Sequence, residues 1–344
     1  MENAIAVVSD RLFLEHRAPG GDHPERPERL EAALSALASA NLGPRRLDLL
    51  ARDASLDELG RVHSAEYLES LPRIAGRSGY LDPDTYFVPY TYAAALRAAG
   101  GSVALTDALL DGAAQYGLSL VRPPGHHARP GAAMGFCVLN NVAVAAAHAR
   151  ARGARRVAVV DYDVHHGNGT QEMFYSDPSV LYVSLHQFPF YPGTGSVAET
   201  GRGEGVGSTV NVPLSAGAGD AAYIAAFDRI VGPVLAEFDP DFVFVSAGFD
   251  AHERDPLAEM HVTDRGYAEM LRRLCAALPR GARGRLAVVL EGGYDLQGLR
   301  GSLQATLEAL DSGPSPFDPG PVSPRHEEDL ARALKSAEQH FHVG

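Results

Sequence analysis

The residues with most to offer chemically sit in the run Val157-Ala-Val-Val-Asp-Tyr-Asp-Val-His-His-Gly-Asn-Gly-Thr170, where an apolar, β-branched segment leads directly into acids and imidazoles. In an extended chain, side chains at i, i+2 and i+4 share a face, so Asp161, Asp163 and His165 start out pointing the same way. Carboxylates and an imidazole that converge are ligands for a borderline-to-hard metal ion. Taken alone, the run also reads as a loop in which Asp161 caps the turn and the histidines are ordinary polar residues.

Three further apolar runs end in groups of the same kind. Leu118–Val121 leads to Arg122-Pro-Pro-Gly-His-His127, Phe242–Ser246 to Ala-Gly-Phe-Asp250, and Leu286–Leu290 to Glu-Gly-Gly-Tyr294. Four strands with polar groups at the same end define a pocket, because independent caps would have no reason to gather at one edge. Asp163, His165 and Asp250 supply the three protein ligands that leave a catalytic Zn²⁺ its open fourth position. Cys137 and Cys275 have no CxxC partner, which disfavours structural zinc. His126 and His127 bring two imidazoles beside the metal, where one can take a proton from water; as adjacent side chains they are expected to diverge to different partners. The paired glycines before Tyr294 let the backbone turn tightly and carry its hydroxyl over the metal as an oxyanion donor. An aromatic buried with its hydroxyl satisfied fits Tyr294 taken alone.

The elements that must position these groups follow a βαβ pattern: short buried runs, each followed by Gly, Pro or Asp and then by an Ala-rich helical segment. Val180–Leu185 is a fifth strand. Helices are predicted at Arg26–Ala40, Tyr92–Asp111, Val142–Arg152, Ala221–Phe238, Asp264–Leu278 and Leu299–Asp311. A doubly wound α/β fold with a mostly parallel sheet and helices on both faces follows, and its ligand sites lie at the carboxyl ends of the strands. Residues 1–311 form one large domain. Residues 312–344 hold a Pro/Gly-rich linker, Ser312–Pro324, and a final polar helix packed on or beside it. Gly193–Gly207 is either a mobile active-site loop or a surface connection.

A hydrophobic content of 45% with 21% charged residues describes a globular chain with a sizeable core and excludes disorder. The net charge of −13 repels a nucleic-acid backbone and suits cationic substrates, or else only maintains solubility. Two cysteines are too few for a disulfide framework. With no basic start followed by a long apolar run, and no uninterrupted apolar span of about 18 residues, the expectation is a cytoplasmic, non-membrane protein.

Arg122-Pro-Pro-Gly-His-His-Ala128, Gly135-Phe-Cys-Val-Leu-Asn-Asn141, Asp161-Tyr-Asp-Val-His-His-Gly-Asn-Gly-Thr-Gln171, Ser246-Ala-Gly-Phe-Asp250 and Glu291-Gly-Gly-Tyr294 together resemble the histone deacetylase superfamily. The resemblance runs from about His23-Pro-Glu-Arg-Pro-Glu-Arg29 to Leu310. It implies the arginase–deacetylase α/β architecture and a zinc-dependent hydrolysis of N-acetyl amides, with Asp163, His165 and Asp250 as ligands. His127 corresponds to the general base and later acid, His126 with Asp161 to its electrostatic partner, and Tyr294 to the group that polarises the acetyl carbonyl.

Asn168 stands where the animal class I enzymes carry a carboxylate, as in the class II and bacterial branch, and an amide makes His127 less basic. Gly135, Phe136 and Tyr191 match the acyl-lysine tunnel, the second aromatic usually being phenylalanine. Asp84 resembles the rim residue that grips substrate, although it fits an ordinary turn equally. Arg29 resembles an arginine near the acetate exit. Asp161, Asp163, His165, Ser184 and Leu185 resemble a structural potassium site built largely from carbonyls. Leu257 stands where the polyamine-selective member has a gatekeeper glutamate. The resemblance therefore implies an acetyl-lysine protein or peptide, or an acetylated small amine, as substrate, with a homo-oligomer compatible. The rivals are a two-manganese guanidine hydrolase of the same fold and a module that binds acyl-lysine without turnover.

Overall fold

A computed structural model describes residues 4–40, 42–310 and 315–343. Its centre is an eight-stranded sheet of β1 (Ile5–Val8), β2 (Arg46–Leu49), β5 (Tyr116–Ser119), β6 (Val157–Asp161), β7 (Val180–Gln187), β8 (Thr209–Leu214), β9 (Phe242–Ala247) and β10 (Leu286–Leu290). A small antiparallel hairpin, β3 (Gly79–Tyr80) with β4 (Tyr86–Phe87), stands apart from it. The order across the large sheet is β2-β1-β5-β10-β9-β6-β7-β8, and every pairing is parallel. Apart from Tyr116 at the start of β5, the inner strands are buried along their whole length, as runs such as Val-Ala-Val-Val and Leu-Ala-Val-Val-Leu require when helices cover both faces.

This order decides where the chemistry goes. The four strands whose ends carry the motifs are β5, β10, β9 and β6, and they are consecutive neighbours in the middle of the sheet. Their carboxyl ends therefore face one another across a few strand spacings, each about 4.8 Å.

Several elements differ from the sequence reading, for identifiable reasons. β5 ends at Ser119, earlier than the predicted Val121, so Leu120 and Val121 already lead into the turn. The first long helix is Glu28–Ser39 rather than Arg26–Ala40, because Pro27 occupies its N-cap. The predicted helix Ala221–Phe238 is three segments, Asp220–Ala226, a π-helical turn Phe227–Val231, and Gly232–Phe238. Pro233 has no N–H for the ladder, and the Gly232 N–H bonds to Phe227 O, five residues back. The last core helix is Leu296–Ala309, capped by Asp295, whereas Asp311 and residues 312–314 of the linker lie outside the described residues.

Helix Thr91–Leu110 is long and apolar enough to cross a membrane by length and composition, but it packs against β1, β5 and helix Asn141–Ala151 inside this fold. The C-terminal helix Pro324–Ala337 packs on β8 at the sheet edge. Its Asp329 carboxylate accepts from Ser215 N at 2.8 Å, and Ser336 Oγ donates to Val197 O at 2.6 Å.

Candidate metal and active site

β6 stops at Asp161, so the strict alternation expected of Asp161, Asp163 and His165 does not continue through the run. The Asp161 carboxylate turns to the His126 ring, which donates to it from Nδ1 at 3.1 Å, and Tyr182 donates a second hydrogen bond at 2.9 Å. Asp163 and His165 lie in the following loop, where the N–H groups of His165 and Gly292 donate to the Asp163 carboxylate at 2.9 and 2.8 Å. Asp250 reaches across from the end of β9 and accepts from Val164 N at 2.9 Å. Asp163, His165 and Asp250 each offer one ligand atom, and these atoms all lie within 4.8 Å of one another. Both carboxylates are essentially fully buried.

The donor set fits a divalent cation. His165 Nδ1 is 3.3 Å from Asp163 and 3.2 Å from Asp250, so two buried carboxylates share one imidazole. Burial and the adjacent Asp163 charge push the Asp250 pKa well up although His165 opposes the shift, as expected of two carboxylates packed against each other. The glycine of the neighbouring loop is part of the fit: a Cβ on Gly292 would collide with the Asp250 and Asp163 carboxylates. Among the described residues this is the one such group. His126 and His127 stand beside it, and the further carboxylate there, Asp161, is committed to His126. A second carboxylate cluster of the kind a two-metal guanidine hydrolase needs is not found among the described residues, and a metal count of one per chain would reject that rival.

The tandem histidines were expected to diverge. Instead their rings are 4.0 Å apart, although their partners do differ. His127 donates from Nδ1 to Asn168 Oδ1 at 2.8 Å, and the Asn168 amide in turn contacts the Met134 sulfur. That fixes the tautomer and leaves His127 Nε2 as a free acceptor. Burial lowers the His127 pKa well below the usual value, and the nearby His126 and His165 lower it further, so it stands neutral. Burial would lower His126 as well, but Asp163 and Asp161 overcome it and raise that ring to about 10. Two adjacent imidazoles thus hold opposite protonation states, as an acid–base pair requires.

These groups floor a cavity of about 200 Å³ lined by Asp84, His127, Gly135, Phe136, His165, Phe190, Tyr191, Leu257 and Tyr294. Drug-sized pockets run to about 300–1,000 Å³, so this one suits a single extended chain. Phe136 lies edge-on to Tyr294 and holds a left-handed backbone at φ 69°, a costly conformation for an aromatic. Its N–H donates to Thr85 Oγ1 at 2.9 Å. Tyr191 sets its ring edge-on to His127, 5.2 Å between centroids. Asp84 is part of the lining, beside Asp82, and burial together with that neighbour pushes its carboxyl pKa up.

Arg29 is not among the lining residues. It is fully buried beneath the site with its guanidinium committed to Gly293 O at 2.6 Å, to Glu291 O and to Glu25, and it lies over the Tyr294 ring at 4.8 Å. Ser184 and Leu185 sit on β7, with Ser184 in register opposite Asp161.

Three contributors escaped the sequence reading. Phe190 lies nearly parallel to the His165 ring at 5.6 Å, and its position beside Tyr191 was the available signal. Glu291 accepts from Gly125 N at 2.6 Å, His126 N at 3.1 Å and Ser246 Oγ at 3.2 Å, tying three motif loops together. Asp255 binds the backbone of Tyr294 at 2.6 Å. The last two act mainly on main-chain N–H groups, for which sequence offers no signature.

Residues 23–310 match the histone deacetylase domain, and the chain belongs to the histone deacetylase family. It is an amide-hydrolysing enzyme of that class. It is 42% identical over 294 residues to an Archaeoglobus fulgidus protein named "Probable deacetylase", covering 85% of this chain and 82% of that one. It is 46% identical over 316 residues to the human "Polyamine deacetylase HDAC10", covering 87% of this chain and 46% of that protein, so here it spans less than half the relative's length. The solved structure of the HDA15 HD domain superposes with a TM-score of 0.91 at 41% identity, covering 98% of this chain and 95% of that one. The mostly parallel sheet with surrounding helices is the arginase–deacetylase fold.

Proposed function

We propose that this enzyme removes acetyl groups from lysine side chains of proteins or peptides and that Asp163, His165 and Asp250 hold one Zn²⁺. The observation that carries this reading is the narrow, largely aromatic cavity ending on His127, His165 and Tyr294. When bound, the cation supplies Lewis-acid polarisation of a carbonyl and acidifies water to a pKa of about 7.

The chain's own groups do the rest. Phe136 and Tyr191 flank the alkyl stem, and Asp84 at the mouth faces the substrate backbone or a cationic neighbour. His127 Nε2 takes a proton from the attacking water as the new C–O bond forms, while the cationic His126 ring, held by Asp161, favours the negative charge developing on the carbonyl oxygen. The Tyr294 hydroxyl donates to the carbonyl oxygen as it becomes an oxyanion. His127 then returns its proton to the departing nitrogen, the C–N bond breaks, and acetate and free amine leave. A structural potassium ion against the carbonyls of Asp161, Asp163, His165, Ser184 and Leu185 belongs to the same reading, and the alignment of β6 with β7 supports it.

The second reading, an acetylpolyamine as substrate, is favoured by the likeness to a relative named a polyamine deacetylase. Leu257 in the cavity wall opposes it, since an apolar side chain gives no counter-charge to a second amine. Turnover of acetyl-lysine peptides, acetylputrescine and acetylspermidine separates the two. The acetyl-lysine reading expects the highest kcat/KM with the peptide, and a preference for either polyamine would overturn it.

A further inference from the structure

Asp255 is a buried carboxylate whose acceptors go to the main chain of two site loops. It lies five residues after Asp250, in the loop that leaves β9. Its Oδ2 accepts from Tyr294 N at 2.6 Å and from Asp295 N at 3.2 Å, and its Oδ1 accepts from Leu257 N at 3.0 Å. Tyr294 and Leu257 both line the cavity. One side chain therefore fixes the loop that ends in the oxyanion donor against the loop that carries a metal ligand and a substrate wall.

The need for such a tether is local. Tyr294 follows Gly292 and Gly293, the latter at φ +118°, and a glycine pair has little preference of its own among many conformations. The two polar atoms of the Gly293–Tyr294 peptide are instead held by charges of opposite sign. Gly293 O accepts from the Arg29 guanidinium at 2.6 Å, and Tyr294 N donates to the Asp255 carboxylate at 2.6 Å. Neighbouring contacts brace Asp255 itself: its N–H donates to His252 O at 2.8 Å, and Arg254 bonds to Asp295 at 3.0 Å.

We propose that Asp255 is a positioning residue for hydrolysis, clamping with Arg29 the peptide plane that aims the Tyr294 hydroxyl at the substrate carbonyl. The inference rests on the assignment of Tyr294 as oxyanion donor. Displacing a catalytic group by about 1 Å costs up to about a hundredfold in rate. Asp255→Asn keeps the size but turns one acceptor into an NH₂ facing a backbone N–H, so it should shift the loop without emptying the metal site.

The test measures kcat and KM on one acetyl-lysine peptide for the wild type, Asp255→Asn, Tyr294→Phe and the double variant, with zinc content of each. Asp255→Asn alone should lower kcat about tenfold to a hundredfold at unchanged zinc content. In the Tyr294→Phe background the same substitution should cost less than about threefold, because the group it positions is gone. Losses that multiply in the double variant, or an unchanged kcat in the single one, would overturn the proposal. Should Tyr294→Phe itself leave turnover intact, the assignment of Tyr294 fails first and takes the clamp with it. If Asp255→Asn does not fold, Asp255→Glu, which moves the carboxylate by one methylene, goes through the same cycle. A kcat loss confined to the Tyr294 background supports the clamp, and a loss of equal size in both backgrounds refutes it.

Discussion

Two buried charge clusters lie side by side in this molecule, and they are built on opposite principles. Around Glu25, a fully buried carboxylate meets Arg122 through two short bonds of 2.5 and 2.7 Å, Arg29 at 3.2 Å and the Tyr86 hydroxyl at 3.2 Å. Burial works against its charge, but the guanidinium of Arg122 more than compensates and holds Glu25 far below the usual carboxylate range. Around Asp250, two equally buried carboxylates share the His165 imidazole, His126 Nε2 stands 3.7 Å from Asp163, and no guanidinium bonds to either carboxylate. A saturated cluster is architecture, because adding a cation gains nothing. The cluster left short of positive charge is the one that asks for a metal, and burial by itself does not distinguish the two.

The largest expected effects fall on the unsaturated cluster. Asp250→Ala should lower kcat/KM roughly a thousandfold, the equivalent of about 4 kcal/mol, together with loss of bound metal by elemental analysis. Activity near wild type without the metal would break the contrast. Tyr294→Phe should cost roughly a hundredfold in kcat with little change in KM, as for other lost oxyanion donors, and steady-state kinetics on an acetyl-lysine peptide reads it.

The saturated cluster should respond through stability. Glu25→Gln leaves Arg122 and Arg29 buried without their counter-charge and should lower unfolding free energy by about 3 kcal/mol or more in urea titrations. Asp250→Asn, measured in metal-stripped protein, should leave the midpoint unchanged or raise it, since it relieves a repulsion. If both substitutions destabilise alike, the two clusters are not different in kind.

A further expected effect is a dependence on pH. Burial lowers the pKa of His16 to about 3, with Glu25 opposing the shift, and that of His63 to about 4, with the Arg129 carbonyl opposing it. Both rings are neutral when folded but titrate near 6.5 when unfolded, so below 6.5 the unfolded chain binds more protons. Their stabilising contribution is complete above about pH 6.5 and falls by about 1.4 kcal/mol per pH unit for each ring, down to about pH 4. Thermal unfolding of the metal-loaded protein between pH 7 and 5 reads the slope, and a midpoint that does not fall would contradict it.

The same contrast explains what sequence could show. The strand ends bearing Asp163, His165, Asp250 and Tyr294 were legible because apolar runs give way abruptly to chemistry-bearing residues, and parallel sheets gather such ends. Their adjacency as β5, β10, β9 and β6 was not legible, since pairing order leaves no local mark. β8 was missed because Pro213 lies inside it, which an edge strand tolerates. β2 was missed because it is a partly exposed four-residue edge strand, Arg46–Leu49. Glu291 and Asp255 were silent because their work is done mainly on backbone N–H groups, most of them far away in sequence.

The central claim is that Asp163, His165 and Asp250 share one ion on which amide hydrolysis depends. Its most direct test strips the protein with a chelator, titrates zinc back, and follows bound metal and acetyl-lysine hydrolysis together. Activity should vanish in the stripped protein and return in proportion to occupancy, with a plateau at one ion per chain. Hydrolysis that persists in fully stripped, folded protein, or a plateau at two ions, would contradict it.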